Sequence, residues 1–186
     1  MAATSAFAQS GAGTPAGPDQ EYLRQSLAAS SLALAVSRMA AEKAQTEDLK
    51  EFAELEQQEQ ETLAEVVKSL SAEPADVNDG TGRPLPDAEV ERNLDQHGRD
   101  ALEKLRAQAV GSEFDRAYMG AVSTGHLELL RIQENYLSSG PTNANAINVA
   151  KLVRTMIKEH LQLLADIESD IESDSTDAAG AASGKD

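Results

Sequence analysis

The sequence predicts an all-α fold in which four long helices form a bundle, with an extra short helical segment between helices 2 and 3. Apolar residues recur at helical spacing in four long segments. Neither Gly nor Pro occurs from Glu21 to Ala72, and the strict alternation of apolar and polar residues that is typical of strands is absent. Hydrophobic residues make up 40% of the chain but aromatic residues only 3%. The core is therefore expected to consist mainly of aliphatic and alanine side chains.

The first two predicted helices form an antiparallel pair, because only a few residues connect them. Asp19, which follows a proline, is a candidate N-cap for the first helix, and that helix is predicted to end near Ala44. Acidic residues after Thr46 suit the start of the second helix. The predicted inner face of the first helix consists of Leu23, Leu27, Ser30, Ser31, Leu34 and Arg38. The predicted inner face of the second consists of Leu49, Phe52, Leu55, Glu59, Leu63, Val66 and Leu70.

A turn-rich loop and a shorter helical segment separate this pair from the second half of the bundle. Residues 78–84 carry the Asn, Asp, Gly and Pro residues that favour turns. Asp87 is a candidate cap for the shorter segment, which Gly98 interrupts and Gly111 ends.

The third and fourth long helices complete the bundle. Ser112 followed by Asp115 resembles a capping box at the start of the third helix, and Gly140 before a proline predicts its end. The fourth helix is predicted to begin near Asn145. Residues at helical spacing in the third helix are Phe114, Tyr118, Val122, Leu129, Ile132 and Tyr136. Those in the fourth are Val149, Leu152, Val153, Met156, His160, Leu164, Ile167 and Ile171.

The chain ends are predicted to be disordered, which leaves residues 19–173 as the bundle domain. Residues 1–18 contain Ala6-Phe7-Ala8 before a Gly- and Pro-rich stretch, a pattern typical of the end of a signal peptide. The alternative is an ordinary Ala-rich tail. With the signal-peptide interpretation, the expected location is the bacterial periplasm or the secreted fraction. Residues 174–186 form an acidic tail rich in Ser, Ala and Gly.

The charge and composition exclude several classes of function. The formal net charge is −16, which disfavours nucleic acid and anionic membranes, because both attract basic proteins. Cations or basic proteins remain as candidate partners, although solubility alone explains such a charge. Cys is absent, which excludes disulfides and thiolate sites. No apolar run is long enough to span a bilayer, and no motif of a catalytic nucleophile or a phosphate-binding loop is present.

One hexapeptide indicates a family. Residues 114–119, Phe-Asp-Arg-Ala-Tyr-Met, together with His126 seven residues later, resemble the domain of unknown function 4142 family of bacterial exported proteins. Residues 39–44, 49–53 and 159–161 are similar to its other recurring segments, and the resemblance covers about residues 21–167. It implies a ferritin-like four-helix bundle in the cell envelope and implies no reaction. The family usually has an Asp-His pair where this chain has Glu59-Gln60, and a Glu in the middle of the first helix, where this chain has only Leu, Ala, Val and Ser.

The histidines define the candidate metal site. A ferritin-like di-iron centre requires Glu-x-x-His motifs, and none precedes His97, His126 or His160. Glu56 and Glu59 lie on or beside the apolar face of the second helix, while two of the histidines lie on those of the third and fourth. The side chains of Glu56, Glu59, His126 and His160 are therefore candidate ligands for one Zn, Mn or Fe ion. The alternative is that these core histidines are only hydrogen-bonded to a buried carboxylate.

Two functions follow from this set. The first is a non-enzymatic envelope protein with a structural, stress-related or interaction role, because no catalytic set is present. The second is a mononuclear metal-binding or metal-dependent redox protein that uses the four candidate ligands.

Overall fold

The computed structural model describes residues 17–71 and 84–183, and side chains up to residue 173. Six helices make up this part of the chain, in which no strand occurs. They are α1 (Pro18–Lys43), α2 (Glu47–Ser71), α3 (Asp87–Asn93), α4 (Gln96–Arg106), α5 (Ser112–Ser138) and α6 (Ala144–Ser183). The predicted all-α helical bundle is therefore confirmed. The tail of residues 1–16, which includes the candidate signal-peptide end, lies outside the described residues, as do 72–83 and 184–186.

Four long helices surround the core in a closed cycle of contacts. α1 packs against α2 and α5, α6 packs against α5 and α2, and the short helices α3 and α4 lie against α1. Because short connections join α1 to α2 and α5 to α6, each of these pairs is antiparallel. The core contains mainly Leu, Ala, Val and Ile side chains with a few aromatic rings, as the composition predicts. All six predicted inner residues of α5 are buried.

The inner faces of α2 and α6 differ from the prediction in their rotation about the helix axis. Leu55 is 43% exposed and Leu152 is 73% exposed, although both were expected in the core. In α2 the predicted Leu49, Phe52 and Leu63 are buried, but Ala53, Glu56 and Gln60 are buried as well. The prediction was wrong at Leu55 and Leu152 because it assigned every large apolar residue to the interior, whereas the packed helices also place small and polar side chains there.

Two acidic residues, Asp19 and Asp115, accept hydrogen bonds from loop residues and do not cap their own helices. Asp19 accepts hydrogen bonds from the Tyr136 hydroxyl (2.5 Å) and the Thr142 hydroxyl (2.8 Å), which joins the start of α1 to the end of α5. Gly17 is the residue at the N-cap of α1, and Gly111, with φ 135°, is that of α5; neither makes a side-chain cap. The Ser112–Asp115 capping box is therefore not formed.

The segment between α2 and α5 consists of two short helices rather than one interrupted helix. Asp95 caps α4 by accepting a hydrogen bond from the Gly98 backbone N–H at 2.7 Å. Gly98 therefore lies in the first turn of α4, close to Asp95 and Leu94. The interruption between the two helices lies before Gly98, between Asn93 and Gln96.

The last helix is longer than the sequence predicts. Asn143 caps its start by accepting hydrogen bonds from the backbone N–H groups of Asn145 and Ala146. The helical backbone then continues to Ser183, past the predicted boundary at residue 173. No proline interrupts this segment, and extending an existing helix is easier than starting a new one. None of the helices in the described ranges has the length and apolar character needed to cross a membrane.

Candidate metal centre

Three helices bring one carboxylate and two imidazoles together inside the bundle. Glu56 lies on α2, His126 on α5 and His160 on α6. Glu56 and His126 are fully buried, and His160 is 5% exposed. One ligand atom from each side chain lies within 4.8 Å of the other two. Residues that are 34 to 104 positions apart in the chain therefore form one cluster of potential ligands.

The distances between the ligand atoms match those around one metal ion. His126 Nε2 lies 3.1 Å from His160 Nδ1 and 3.4 Å from Glu56 Oε1. His160 Nδ1 lies 3.0 Å from Glu56 Oε2. Ligands about 2.1 Å from a tetrahedral ion are separated by about 3.4 Å. An ion can therefore enter this cluster with only small side-chain adjustments.

Each of the three side chains is also held by a partner outside the cluster. His126 Nδ1 lies 2.9 Å from the Val122 carbonyl oxygen, and His160 Nε2 lies 2.8 Å from Glu59 Oε2. The Val122 carbonyl oxygen is an acceptor, which assigns the His126 ring hydrogen to Nδ1, whereas the His160–Glu59 contact is an ion pair without hydrogen-bond geometry. Gln60 Nε2 donates a hydrogen bond to Glu56 Oε1 at 2.9 Å. Outer partners of this kind orient the ligands of metal sites in proteins.

One aromatic ring closes the cluster on its apolar side. Phe52, one turn before Glu56 on α2, is buried. Its ring centroid lies 5.5 Å from that of His160, edge to face, and 6.0 Å from that of His126. The ring therefore limits the rotation of both imidazoles and keeps water away from this side.

The electrostatic balance favours a charged carboxylate. Burial alone raises the pKa of Glu56, but hydrogen bonds and charges from His126 and His160 outweigh it and bring the pKa down to about 2. Burial disfavours the charged form of His160, yet the contact with Glu56 raises the pKa of this imidazole above its ordinary value. Burial raises the pKa of Glu59, which the His160 charge opposes. The Glu56 carboxylate is thus charged and favours a positive charge beside it, either a protonated His160 or a cation.

The four residues singled out from the sequence do not all face the same point. The structure places Glu56, His126 and His160 together, whereas the carboxylate of Glu59 contacts the far nitrogen of His160 and is partly exposed. Sequence reasoning did not identify Gln60 as a partner of the site. Its position one turn after Glu56 on the same helix is the signal that identifies it. His97, the third histidine of the chain, is exposed.

The hexapeptide at residues 114–119 supports the site from a distance. Phe114 and Tyr118 are fully buried, and the Tyr118 hydroxyl lies 3.1 Å from that of Ser37 on α1. Asp115 accepts hydrogen bonds from the Gln45 and Thr46 backbone N–H groups and from the Thr46 hydroxyl (2.8 Å). These contacts fix α5 against both α1 and the turn that begins α2, and thereby set the height of His126 relative to Glu56.

Comparison with known proteins places the whole bundle in one family. The model of the family described as domain of unknown function DUF4142 matches residues 3–167. Neither the curated proteins nor the solved structures give a match to the chain. The matched range includes the three clustered side chains and the hexapeptide that supports them. The chain therefore belongs to the DUF4142 family.

Proposed function

We propose that this protein binds one divalent transition-metal ion, Zn²⁺, Mn²⁺ or Fe²⁺, at Glu56, His126 and His160. The observation that carries the proposal is the convergence of three potential ligand atoms inside the bundle. With its hydrogen on Nδ1, His126 turns the lone pair of Nε2 toward His160 Nδ1 (3.1 Å) and Glu56 Oε1 (3.4 Å), and His160 Nδ1 lies 3.0 Å from Glu56 Oε2. Two imidazoles and a carboxylate are common ligands of these ions.

Hydrogen bonds alone satisfy the facing atoms of Glu56, His126 and His160 less well than a bound metal ion does. When His126 is neutral, with its hydrogen on Nδ1, His126 Nε2 and Glu56 Oε1 are both acceptors, and they face each other at 3.4 Å. At most one hydrogen, on His160 Nδ1, is available to serve both His126 Nε2 and Glu56 Oε2. A divalent ion binds all three atoms at once and neutralises the buried carboxylate, which is costly to leave unpaired.

The metal-free alternative is a buried ion network. A doubly protonated His160 forms ion pairs with both Glu56 and Glu59, and its raised pKa supports this state. In that case the protein is a helical bundle with a structural, stress-related or interaction role. The two functions differ in whether purified protein takes up an ion.

The test is metal uptake with single-histidine controls. Full-length protein, stripped with EDTA, is dialysed against Zn²⁺ or Mn²⁺ and its metal content is measured by mass spectrometry. We expect one ion per chain in the wild type and in His97→Ala, which removes the exposed third histidine. We expect less than about a tenth of that in His126→Ala and His160→Ala, since each ligand loss leaves only two. Equal metal content in all four proteins, or none in the wild type, would falsify the proposal.

We also propose an envelope location for the protein. Residues 6–8 resemble a signal-peptidase site, and the sequence resembles exported bacterial proteins. The expected result is recovery in the periplasmic or secreted fraction, with a mature N-terminus near Gln9 on sequencing. Recovery with the cytoplasmic fraction would contradict it.

A further inference from the structure

The face of α1 that lies against α5 is lined with hydroxyl groups. Tyr22, Ser26, Ser30 and Ser37 are buried on this helix. Tyr22 donates a hydrogen bond to Gln133 Oε1 at 2.9 Å, and Ser37 lies 3.1 Å from the Tyr118 hydroxyl. The hydroxyl groups at the two ends of this polar face, those of Tyr22 and Ser37, therefore form hydrogen bonds to α5.

The two end contacts fix the register between the helices. Tyr22 and Ser37 are separated by 15 residues, and so are Tyr118 and Gln133. Because the helices are antiparallel with the same rise per residue, Ser30, seven residues before Ser37, lies level with residues 125–126 of α5. Ser30 therefore lies at the same level along the bundle axis as His126. It belongs to α1, the long helix that supplies no ligand to the proposed metal centre.

The hydroxyl at this position is buried without a hydrogen-bond partner among the described residues. Ser30 has no exposed surface, and its Oγ makes no hydrogen bond to any described group. By contrast, the adjacent Ser31 accepts a hydrogen bond from Asn93 Nδ2 at 3.2 Å. An unpaired buried hydroxyl costs free energy, and a bound water commonly serves such a group where there is room for it.

We propose that Ser30 positions an exchangeable small ligand, water or hydroxide, at the open coordination position of the metal ion. This inference rests on the proposed function, since three protein ligands leave a tetrahedral ion with one position to fill. Phe52 covers the histidine rings with an apolar surface, whereas α1 presents a hydroxyl at the same height. Ser30 touches only the exogenous ligand, so it is a positioning residue and not a metal ligand.

The enclosure of the site also limits what the ligand can be. Glu56, His126, Ser30 and Phe52 are between 0% and 2% exposed, so no large molecule reaches the ion without opening the bundle. The ligand class is therefore restricted to species of about one to three heavy atoms. A linear triatomic anion such as azide is the largest probe that we expect to enter.

Azide binding to the Co²⁺-loaded full-length protein tests the role of Ser30. Azide changes the visible absorption of Co²⁺ when it binds at an open position. We expect Ser30→Ala to keep one Co²⁺ per chain but to bind azide roughly fivefold to tenfold more weakly, as for the loss of one hydrogen bond. Ser30→Thr, which retains the hydroxyl, is expected to remain within about threefold of the wild type. The matched control, Ser31→Ala, is expected to remain within about twofold.

The outcomes separate this inference from the proposed function. If the wild type binds no Co²⁺ at Glu56, His126 and His160, the metal-binding function itself fails. If Co²⁺ binds there but azide does not perturb it, or if Ser30→Ala and Ser31→Ala have equal azide affinity, only the role of Ser30 is overturned. Thermal melts of each variant identify any that fail to fold, and Ser30→Thr then provides the comparison.

Discussion

Replacing Asp115 by Ala tests whether this carboxylate fixes the register of α5 against the α1–α2 turn. The side chain is 4% exposed. It accepts hydrogen bonds from two backbone N–H groups, those of Gln45 (3.1 Å) and Thr46 (2.9 Å), and from the Thr46 hydroxyl. The substitution therefore removes the acceptor for three donors at the start of α2. No other position in the supporting hexapeptide holds so many backbone groups.

The expected cost follows from these three contacts. Loss of a side-chain cap at the start of a helix costs about 0.5–2 kcal/mol, and hydrogen bonds to a charged group contribute about 1.5–3 kcal/mol each. Gln45 is exposed and Thr46 is half-buried, so water replaces part of what is lost. We therefore expect Asp115→Ala to lower the free energy of unfolding by about 2–4 kcal/mol. For a chain of this size that corresponds to a fall in Tm of roughly 4–16 °C.

Urea unfolding of the EDTA-treated protein, followed by circular dichroism, measures this cost. The matched control is Glu113→Ala, which removes an exposed acid from the same first turn of α5 and is expected to change stability by less than about 0.5 kcal/mol. Asp115→Asn keeps one acceptor oxygen and is expected to lose about half as much as Asp115→Ala. If Asp115→Ala is no more destabilising than Glu113→Ala, the carboxylate does not hold the turn.

Three further predictions concern the outer parts of the site and the bundle end. Glu59→Gln is expected to keep one Zn²⁺ per chain but to weaken its binding about 10–100-fold, measured by competition with a chelator, whereas Glu54→Gln, at an exposed position of the same helix, is not. Tyr118→Phe is expected to lower stability by about 0.5–1.5 kcal/mol, because Ser37 loses its partner, and to leave metal content unchanged; loss of the ion would contradict a purely supporting role. The Tyr136 hydrogen bond lowers the pKa of Asp19 below its ordinary value of 3.8, so its stabilising effect is complete above that pH and is lost as the pH falls through the lower pKa. The stability difference between wild type and Asp19→Asn in urea titrations should therefore be constant above about pH 5 and shrink below it; a constant difference down to pH 2 would refute this.

Periodicity predicted the helices well, because the signal is local. The six apolar positions predicted to face inward on α5, from Phe114 to Tyr136, all lie in the core, and the glycine before Pro141 lies at the end of that helix with φ 74°. The rotation of α2 was less accurate. Leu55 and Glu56 are adjacent, and only the positions of the neighbouring helices decide which of them is buried.

The candidate site was predicted in its residue types and less well in its geometry. His126 and His160 were identified because each lies on an apolar face, and the structure brings them within hydrogen-bonding distance. The separate position of Glu59 was not predictable, since it depends on how the His160 ring is oriented between Glu56 and Glu59. The contact between Asp115 and the α1–α2 turn joins residues about 70 positions apart. No local pattern reveals such a contact, and the nearby Ser112 suggested a capping box instead.

X-ray absorption spectroscopy of the Zn²⁺-loaded protein tests the metal centre most directly. The structure predicts two imidazole nitrogens and one carboxylate oxygen at about 2.0–2.1 Å, with a fourth light atom completing the shell. His160→Ala should remove one imidazole contribution or abolish binding. A shell of five or six oxygen atoms without imidazole, unchanged in His160→Ala, would show that the ion binds elsewhere on this acidic surface and would contradict the account.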